Sequence, residues 1–166
     1  VAVPQILYNV PGRTAVDMHN DTTLRLAAIE NIIGIKDATN DVERGRDLIE
    51  RSPDEFLVFS GEDGSAFRLM LAGGNGTISV TANAAPNLMH RMCTAAVSGD
   101  ADQASVLDEQ LGDLHAAMFF ESNPIPAKWA VQQQGLIGSG IRLPLIPLSD
   151  QYHDSVRAAM SKAEVV

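Results

Sequence analysis

Lys36 closes the run Asn31-Ile-Ile-Gly-Ile-Lys36, so the stem of its side chain follows a wall of isoleucines. Desolvation disfavours an ammonium ion, and an uncharged amine is a nucleophile toward a carbonyl carbon. Tyr8, in Gln5-Ile-Leu-Tyr-Asn9, carries a phenol that both donates and accepts and can pass a proton to or from such an amine. Arg13, in a turn with Pro11 and Gly12, has the planar fork that grips a carboxylate through two parallel hydrogen bonds. Together the three side chains would suit covalent carbonyl chemistry on an acid. Each also has an ordinary structural reading. Lys36 would guard a strand edge or reach for water, Tyr8 would pack a core, and Arg13 would be a solvated loop residue. Spacing alone does not choose between these.

Other candidates carry less. Gly73-Gly74-Asn75-Gly76 has the look of a phosphate cradle, but it lacks the third glycine of G-x-G-x-x-G and precedes a strand-like run instead of following one. A tight helix-to-strand turn is the better reading. Glu62 and Asp63 could be an acid/base pair, yet Asp63 stands where a helix start wants a capping carboxylate. His19, His90, His115 and His153 show no H-x-x-x-H or H-E-x-x-H spacing, and with the single cysteine, Cys93, the sequence supports no metal site and no internal disulfide. Cys93, beside Met89 and Met92 in a helical stretch, reads as a small buried hydrophobe.

The elements that must position these residues are four short apolar runs, Gln5–Asn9, Asn31–Lys36, Phe56–Ser60 and Gly76–Val80. None alternates cleanly between apolar and polar, which predicts strands covered on both faces, as in a parallel sheet. Helices are predicted over residues 21–30, over 41–51 after Asn40 with Glu43 in capping-box position, over 64–72 up to Gly73-Gly74, and over 86–98 with Pro86 in the first turn. Repeated βα units call for right-handed crossovers and place function at the carboxyl ends of the strands. After Gly99 the strands stop. Ala104, Leu107, Leu111, Leu114 and Met118 recur at helical spacing, and further helices are expected around Pro126–Gln134 and Asp150–Glu164, separated by a loop in which Pro144 and Pro147 forbid a continuous helix. Two segments are therefore expected, 1–99 built of four βα units and 100–166 all helical. An open four-stranded parallel sheet and half of an eight-stranded barrel both fit that count.

Composition narrows the classes of function. The 166 residues carry a formal net charge of -9, with hydrophobic residues at 45% and charged ones at 20%, the balance of a globular domain. That acidity opposes a phosphate backbone or an anionic membrane as partner, since both reward clustered Lys and Arg. No stretch approaches the roughly 20 apolar residues that span a bilayer, and the start lacks the basic region of a signal peptide, so a cytoplasmic location is expected, with no nucleic acid and no membrane as partner. The sequence opens on a strand-like run without Met, which reads as an internal cut.

YNVPGRT at 8–14, GIKDAT at 34–39, SGEDGSA at 60–66, GGNGTISVTAN at 73–83 and NPIPAKWA at 123–130, in that order, closely resemble the dihydrodipicolinate synthase family, and the likeness runs from about Gln5 to Ala159. The resemblance implies a class I aldolase-type (β/α)8 TIM barrel with a C-terminal helical domain, of which this sequence would supply the second half of the barrel, 1–99, and the helical domain, 100–166. It implies a lyase that condenses pyruvate with L-aspartate 4-semialdehyde through a lysine Schiff base, giving 4-hydroxy-tetrahydrodipicolinate in lysine (diaminopimelate) biosynthesis, in a homo-oligomer, a dimer or tetramer, without metal or organic cofactor.

Carried onto this sequence, Lys36 matches the Schiff-base lysine, Tyr8 the proton-relay tyrosine, and Arg13 the arginine that holds the semialdehyde carboxylate. Ile78 matches a residue whose main chain contacts pyruvate, and Gly61 lies at a strand end lining the pocket. Asp37 stands where many relatives have Glu. The barrel's first four strands, the paired threonines of the relay and the residues that bind feedback lysine are not in this sequence, which therefore reads as the C-terminal portion and is expected to be inactive alone. Two alternatives remain at this point: an N-acetylneuraminate lyase-like or keto-sugar-acid aldolase, which Arg13 disfavours because it suits a short acid better than a polyol, and a non-catalytic half-barrel.

Overall fold

The structure, a computed structural model, describes residues 2–165. Among these, four parallel strands lie side by side in chain order: β1 (Gln5–Asn9), β2 (Ile32–Asp37), β3 (Leu57–Ser60) and β4 (Gly76–Thr77). The fold is thus α/β with a parallel sheet. A short helix α1 (Pro11–Thr14) and α2 (Asn20–Ala27) connect β1 to β2, α3 (Val42–Arg51) connects β2 to β3, and α4 (Ala66–Leu71) connects β3 to β4. Four more helices follow: α5 (Pro86–Val97), α6 (Ala101–Ala117), α7 (Ile125–Gln133) and α8 (His153–Lys162). The chain groups into two compact units, one of Val1–Ser79 with Ala95–Ala101 and one of Val80–Thr94 with Asp102–Val166.

In the first unit, strand residues divide by face. Leu7, Ile35 and Val58 stand in register and point toward the helices, where Ile35 and Val58 are buried with Leu48 of α3 and Leu69 of α4, flanked by Leu24, Ala27 and Ile49. The opposite face, with Ile6 and Tyr8 in β1, is largely open; both side chains are about half exposed, at 44% and 50%. The expectation of strands covered on both faces is therefore corrected. One layer of helices packs against the sheet, and apolar content without alternation did not reveal which face was bare.

Local chemistry explains the element ends. Helix α3 starts one residue later than expected: Asp41, not Asn40, caps it, its carboxylate accepting from the Arg44 amide at 3.0 Å. Helix α4 is preceded by a 3-10 turn, Asp63–Ser65, and starts at Ala66. The glycine-rich turn is structural. Gly73 has φ of 106°, which a side chain would strain, and Asn75 binds Val58 twice, through its own amide to the Val58 carbonyl at 2.9 Å and through its side-chain oxygen from the Val58 amide at 2.8 Å. Strand β4 is shorter than the run Gly76–Val80, because β3 ends at Ser60 and offers no partner beyond the bond from the Ile78 amide to the Ser60 carbonyl, 2.9 Å.

In the second unit, the expected apolar positions Ala104, Leu107, Leu111, Leu114 and Met118 are all buried. His115, on the same helix, is buried too, with Nδ1 2.8 Å from the Thr81 hydroxyl and Nε2 3.5 Å from an Asp108 carboxylate oxygen. Cys93 is half-buried, while its neighbour Met92 is fully enclosed.

Candidate functional site at the strand ends

Register sets the site. Tyr8 of β1 pairs with Lys36 of β2, which pairs with Phe59 of β3, so these side chains share the open face of the sheet. The Lys36 ammonium nitrogen stands 4.3 Å from the centroid of the Tyr8 ring, a cation–π contact worth about 0.5–1 kcal/mol where the ring is exposed. On the other side the Lys36 stem runs across Gly61. A methyl group at Gly61 would fall 2.9 Å from Lys36 Cε, 3.1 Å from Lys36 Cγ and 2.9 Å from Ala38 Cβ. The amine is thus bracketed by an aromatic face and a bare backbone, and Gly61 itself is fixed by a bond from its amide to the Asp37 carbonyl at 2.6 Å.

Of the five residues singled out in the sequence, Lys36, Tyr8 and Gly61 touch one another or the same stem. Ile78 is tied to the end of β3 by its amide and is partly exposed. Arg13 lies in α1, at the carboxyl end of β1, exposed, its guanidinium in no hydrogen bond or ion pair with any described residue. The turn that carries it is closed on itself: the Arg13 amide bonds the Val10 carbonyl at 2.9 Å, and the Thr14 hydroxyl lies between the Val10 and Val16 carbonyls.

A second layer of polar residues lies one register step further on, on the helix side of the sheet, and the sequence reading gave it no role. Asn9 and Asp37 pair across β1 and β2 and are 2% and 8% exposed. The Asn9 side-chain amide donates to Asp37 Oδ1 at 3.0 Å and to Asp17 Oδ1 at 2.9 Å, while its oxygen accepts from the Met18 amide at 3.0 Å. Thr39 donates to the other Asp37 oxygen. Asp17 is gripped in turn by Arg44 Nη1 at 2.7 Å, and the hydrogen bond from Arg44, then that from Asn9, holds its carboxyl near 2, against an ordinary 3.8. The Arg44 guanidinium is held above its ordinary value chiefly by the same bond. The sequence signal available was that both Asn9 and Asp37 directly follow a candidate residue at a strand end. Among the described residues no three His, Cys, Asp or Glu side chains come together as metal ligands would, and no helix is long and apolar enough to cross a membrane.

What the fold and the strand ends define is a parallel α/β protein that presents a lysine and a tyrosine side by side where its strands end, the place where ligands bind in this class. Residues 1–163 match the model of the dihydrodipicolinate synthetase family, and the chain belongs to that family. It is 59% identical over 165 residues to the 4-hydroxy-tetrahydrodipicolinate synthase of Nitrosospira multiformis, an alignment that takes in 99% of this chain and 55% of that protein. Among solved structures it is similar to the chloride-inhibited dihydrodipicolinate synthase from Acinetobacter baumannii complexed with pyruvate, with TM-score 0.97 and 52% identity over 100% of this chain and 57% of that one. It is also similar to dihydrodipicolinate synthase from Thermotoga maritima, with TM-score 0.95 and 35% identity over 100% of this chain and 58% of that one. The chain spans about half the length of the relatives it matches.

Proposed function

We propose that this chain carries the Schiff-base half of a pyruvate-dependent lyase that makes 4-hydroxy-tetrahydrodipicolinate from pyruvate and L-aspartate 4-semialdehyde, a step of lysine biosynthesis in the cytoplasm. In this reading residues 1–99 are the second half of a (β/α)8 barrel, residues 100–166 its C-terminal helical domain, and the working form is a homo-oligomer. Lys36 attacks the pyruvate ketone, water leaves, and the imine draws electrons from the methyl carbon until it loses a proton and becomes an enamine. That carbon then attacks the aldehyde of the second substrate, whose oxygen takes up a proton. The amino group of the product closes onto the imine carbon, breaking its bond to Lys36 and freeing the lysine. Tyr8, stacked beside the lysine nitrogen, moves protons in both stages, and the Arg13 fork holds the semialdehyde carboxylate. The Ile78 main chain contacts pyruvate, and the bare backbone at Gly61, at the edge of the pocket, lets the Lys36 stem lie close against it.

The observation that carries the proposal is the bracketed lysine: Nζ 4.3 Å from the Tyr8 ring centroid and the stem against Gly61, at a strand end, in a chain of this family. The test is to treat the chain, completed to its relatives' length, with pyruvate and borohydride and to map the reduced adduct by peptide mass. The adduct is expected on Lys36. Lys162 is tied to Asp113 at 2.9 Å, and Lys128 stands on α7. An adduct on either of these, or none at all, overturns the proposal.

A further inference from the structure

Residues 10–19 join β1 to α2 and carry Arg13. The turn at Pro11–Thr14 is bonded within itself, so what fixes it to the rest of the unit are the two ends of the segment. The near end leaves β1 at Asn9. The far end, Asp17 and Met18, is held by two side chains from other elements, Arg44 and Asn9. Arg44, on α3, gives Nη1 to Asp17 Oδ2 at 2.7 Å, Nη2 to the Met18 carbonyl, and Nε to Asn20 Oδ1 at 3.4 Å. Its side chain is only 18% exposed, so these charged bonds lie in partly dry surroundings, where they count for more than on an open surface. Asn9 completes the grip by binding Asp17 and Met18 from the sheet side while it also binds Asp37, the residue after Lys36.

We propose that Arg44 is a positioning residue for the acid-binding arm: it fixes the far end of segment 10–19 against the strand that carries Lys36, and so sets where the Arg13 guanidinium meets the carboxylate of the second substrate. This rests on the function proposed above. The geometry calls for an arginine, because three separate nitrogens reach an acid, a main-chain carbonyl and an amide oxygen. A lysine offers one nitrogen, which cannot stand at all three of these positions at once. With the Arg44 bonds lost, the turn keeps its internal bonds and Asn9 keeps its hold on Asp17 and Met18 from the sheet side. The side of the far end that faces α3 is released, so Arg13 is presented over a wider spread of positions. A clamp that acts at the second substrate then weakens, while the lysine–tyrosine pair, which makes no bond to Arg44, keeps its own geometry.

The experiment uses the chain completed to its relatives' length, with Arg44→Met, Arg44→Lys, Arg13→Ala and the double variant Arg13→Ala/Arg44→Met. Two readouts are taken: the rate of borohydride-trapped imine formation with pyruvate alone, and kcat and KM for the semialdehyde. Arg44→Met is expected to trap pyruvate within about twofold of the parent and to raise KM for the semialdehyde roughly tenfold or more. Arg44→Lys is expected to restore little of that loss. In the double variant the effect of Arg44→Met should nearly vanish, since a residue acting through Arg13 has nothing left to position. If the losses multiply, or if pyruvate trapping and semialdehyde turnover fall in step, Arg44 supports the fold generally and the proposal is wrong. If Arg44→Met does not fold, Arg44→Lys with the same cycle gives the decision. Failure of the underlying function is separate and visible, because the parent protein would then trap no pyruvate on Lys36.

Discussion

A methyl group added at Gly61 would probe the bracketed lysine directly. In Gly61→Ala the new Cβ falls 2.9 Å from Ala38 Cβ and 2.9 Å from Lys36 Cε, about half an ångström inside ordinary contact. Both overlaps must be relieved, which pushes the new methyl away from Ala38 and onto the lysine stem if Ala38 holds its place. Ala38 Cβ is bound straight to a main chain that is pinned by the bond from the Ala38 amide to the Asn9 carbonyl at 2.9 Å, so it moves little. The lysine stem is free to swing and takes up the overlap. Overpacking of this kind costs about 1–3 kcal/mol, a drop of several degrees in melting temperature for a chain of this size. The larger effect is on chemistry, because displacing the amine by about 1 Å costs on the order of 100-fold in a step that depends on its aim. Borohydride trapping of pyruvate on Lys36 in the completed chain is the assay, with Gly64→Ala as control, since a methyl there meets nothing within 4 Å. Trapping by Gly61→Ala within twofold of the parent, with Gly64→Ala equally active, would refute the idea that the lysine is aimed by contact with this backbone.

Two other outcomes are expected. Arg13→Ala should cost about 2 kcal/mol, roughly 30-fold, in semialdehyde kcat/KM and leave pyruvate trapping intact; equal losses in both would mean that Arg13 does not hold the second substrate. Asp17 is the acid-labile link: with its carboxyl lowered from 3.8 to about 2, its stabilising effect is complete above pH 3.8 and is lost as the pH falls through about 2. The stability difference between the parent and Asp17→Asn, read by denaturant midpoints followed by circular dichroism, should therefore be constant above about pH 4 and shrink below it, and a difference that stays flat down to pH 2 would remove Asp17 as the source.

Much of the first unit was legible because its signals are local. Gln5–Asn9 was read to the residue, and Ile32–Asp37 and Leu57–Ser60 each within one, because β-rich runs bounded by polar breaks need no tertiary context. The stripe Ala104, Leu107, Leu111, Leu114 and Met118 was read as helical spacing from its period alone, and all five positions are buried. Local ambiguity explains the shift at α3, since Asn40 and Asp41 are both good caps and only the amide of Arg44 decides between them. Helix α1 was read as a turn although Pro11 stands at its first position, where proline is at home, because Gly12 follows and the element is a single turn. What could not be read is what depends on pairing. Nothing in the spacing of Asn9, Asp17, Asp37 and Arg44 says that they meet; their meeting requires the register of β1 on β2 and the return of α3 across the same face.

That register also joins the two layers of the site. Side chains alternate along a strand, so Tyr8 and Lys36 on the open face commit Asn9 and Asp37, one step on, to the helix side. The bond from Asn9 to Asp37 and the stacking of Tyr8 on Lys36 are then alternative readings of a single alignment, and a slip of one residue between β1 and β2 would destroy both at once. A buried amide between two carboxylates is costly to misplace, because every other register leaves its donors or its neighbours' acceptors without partners. An exposed ring beside an ammonium has no such penalty and could not enforce the alignment by itself. Specificity of register therefore resides in the polar layer on the helix side, and the chemistry proposed for the open face inherits its geometry from residues that touch neither substrate.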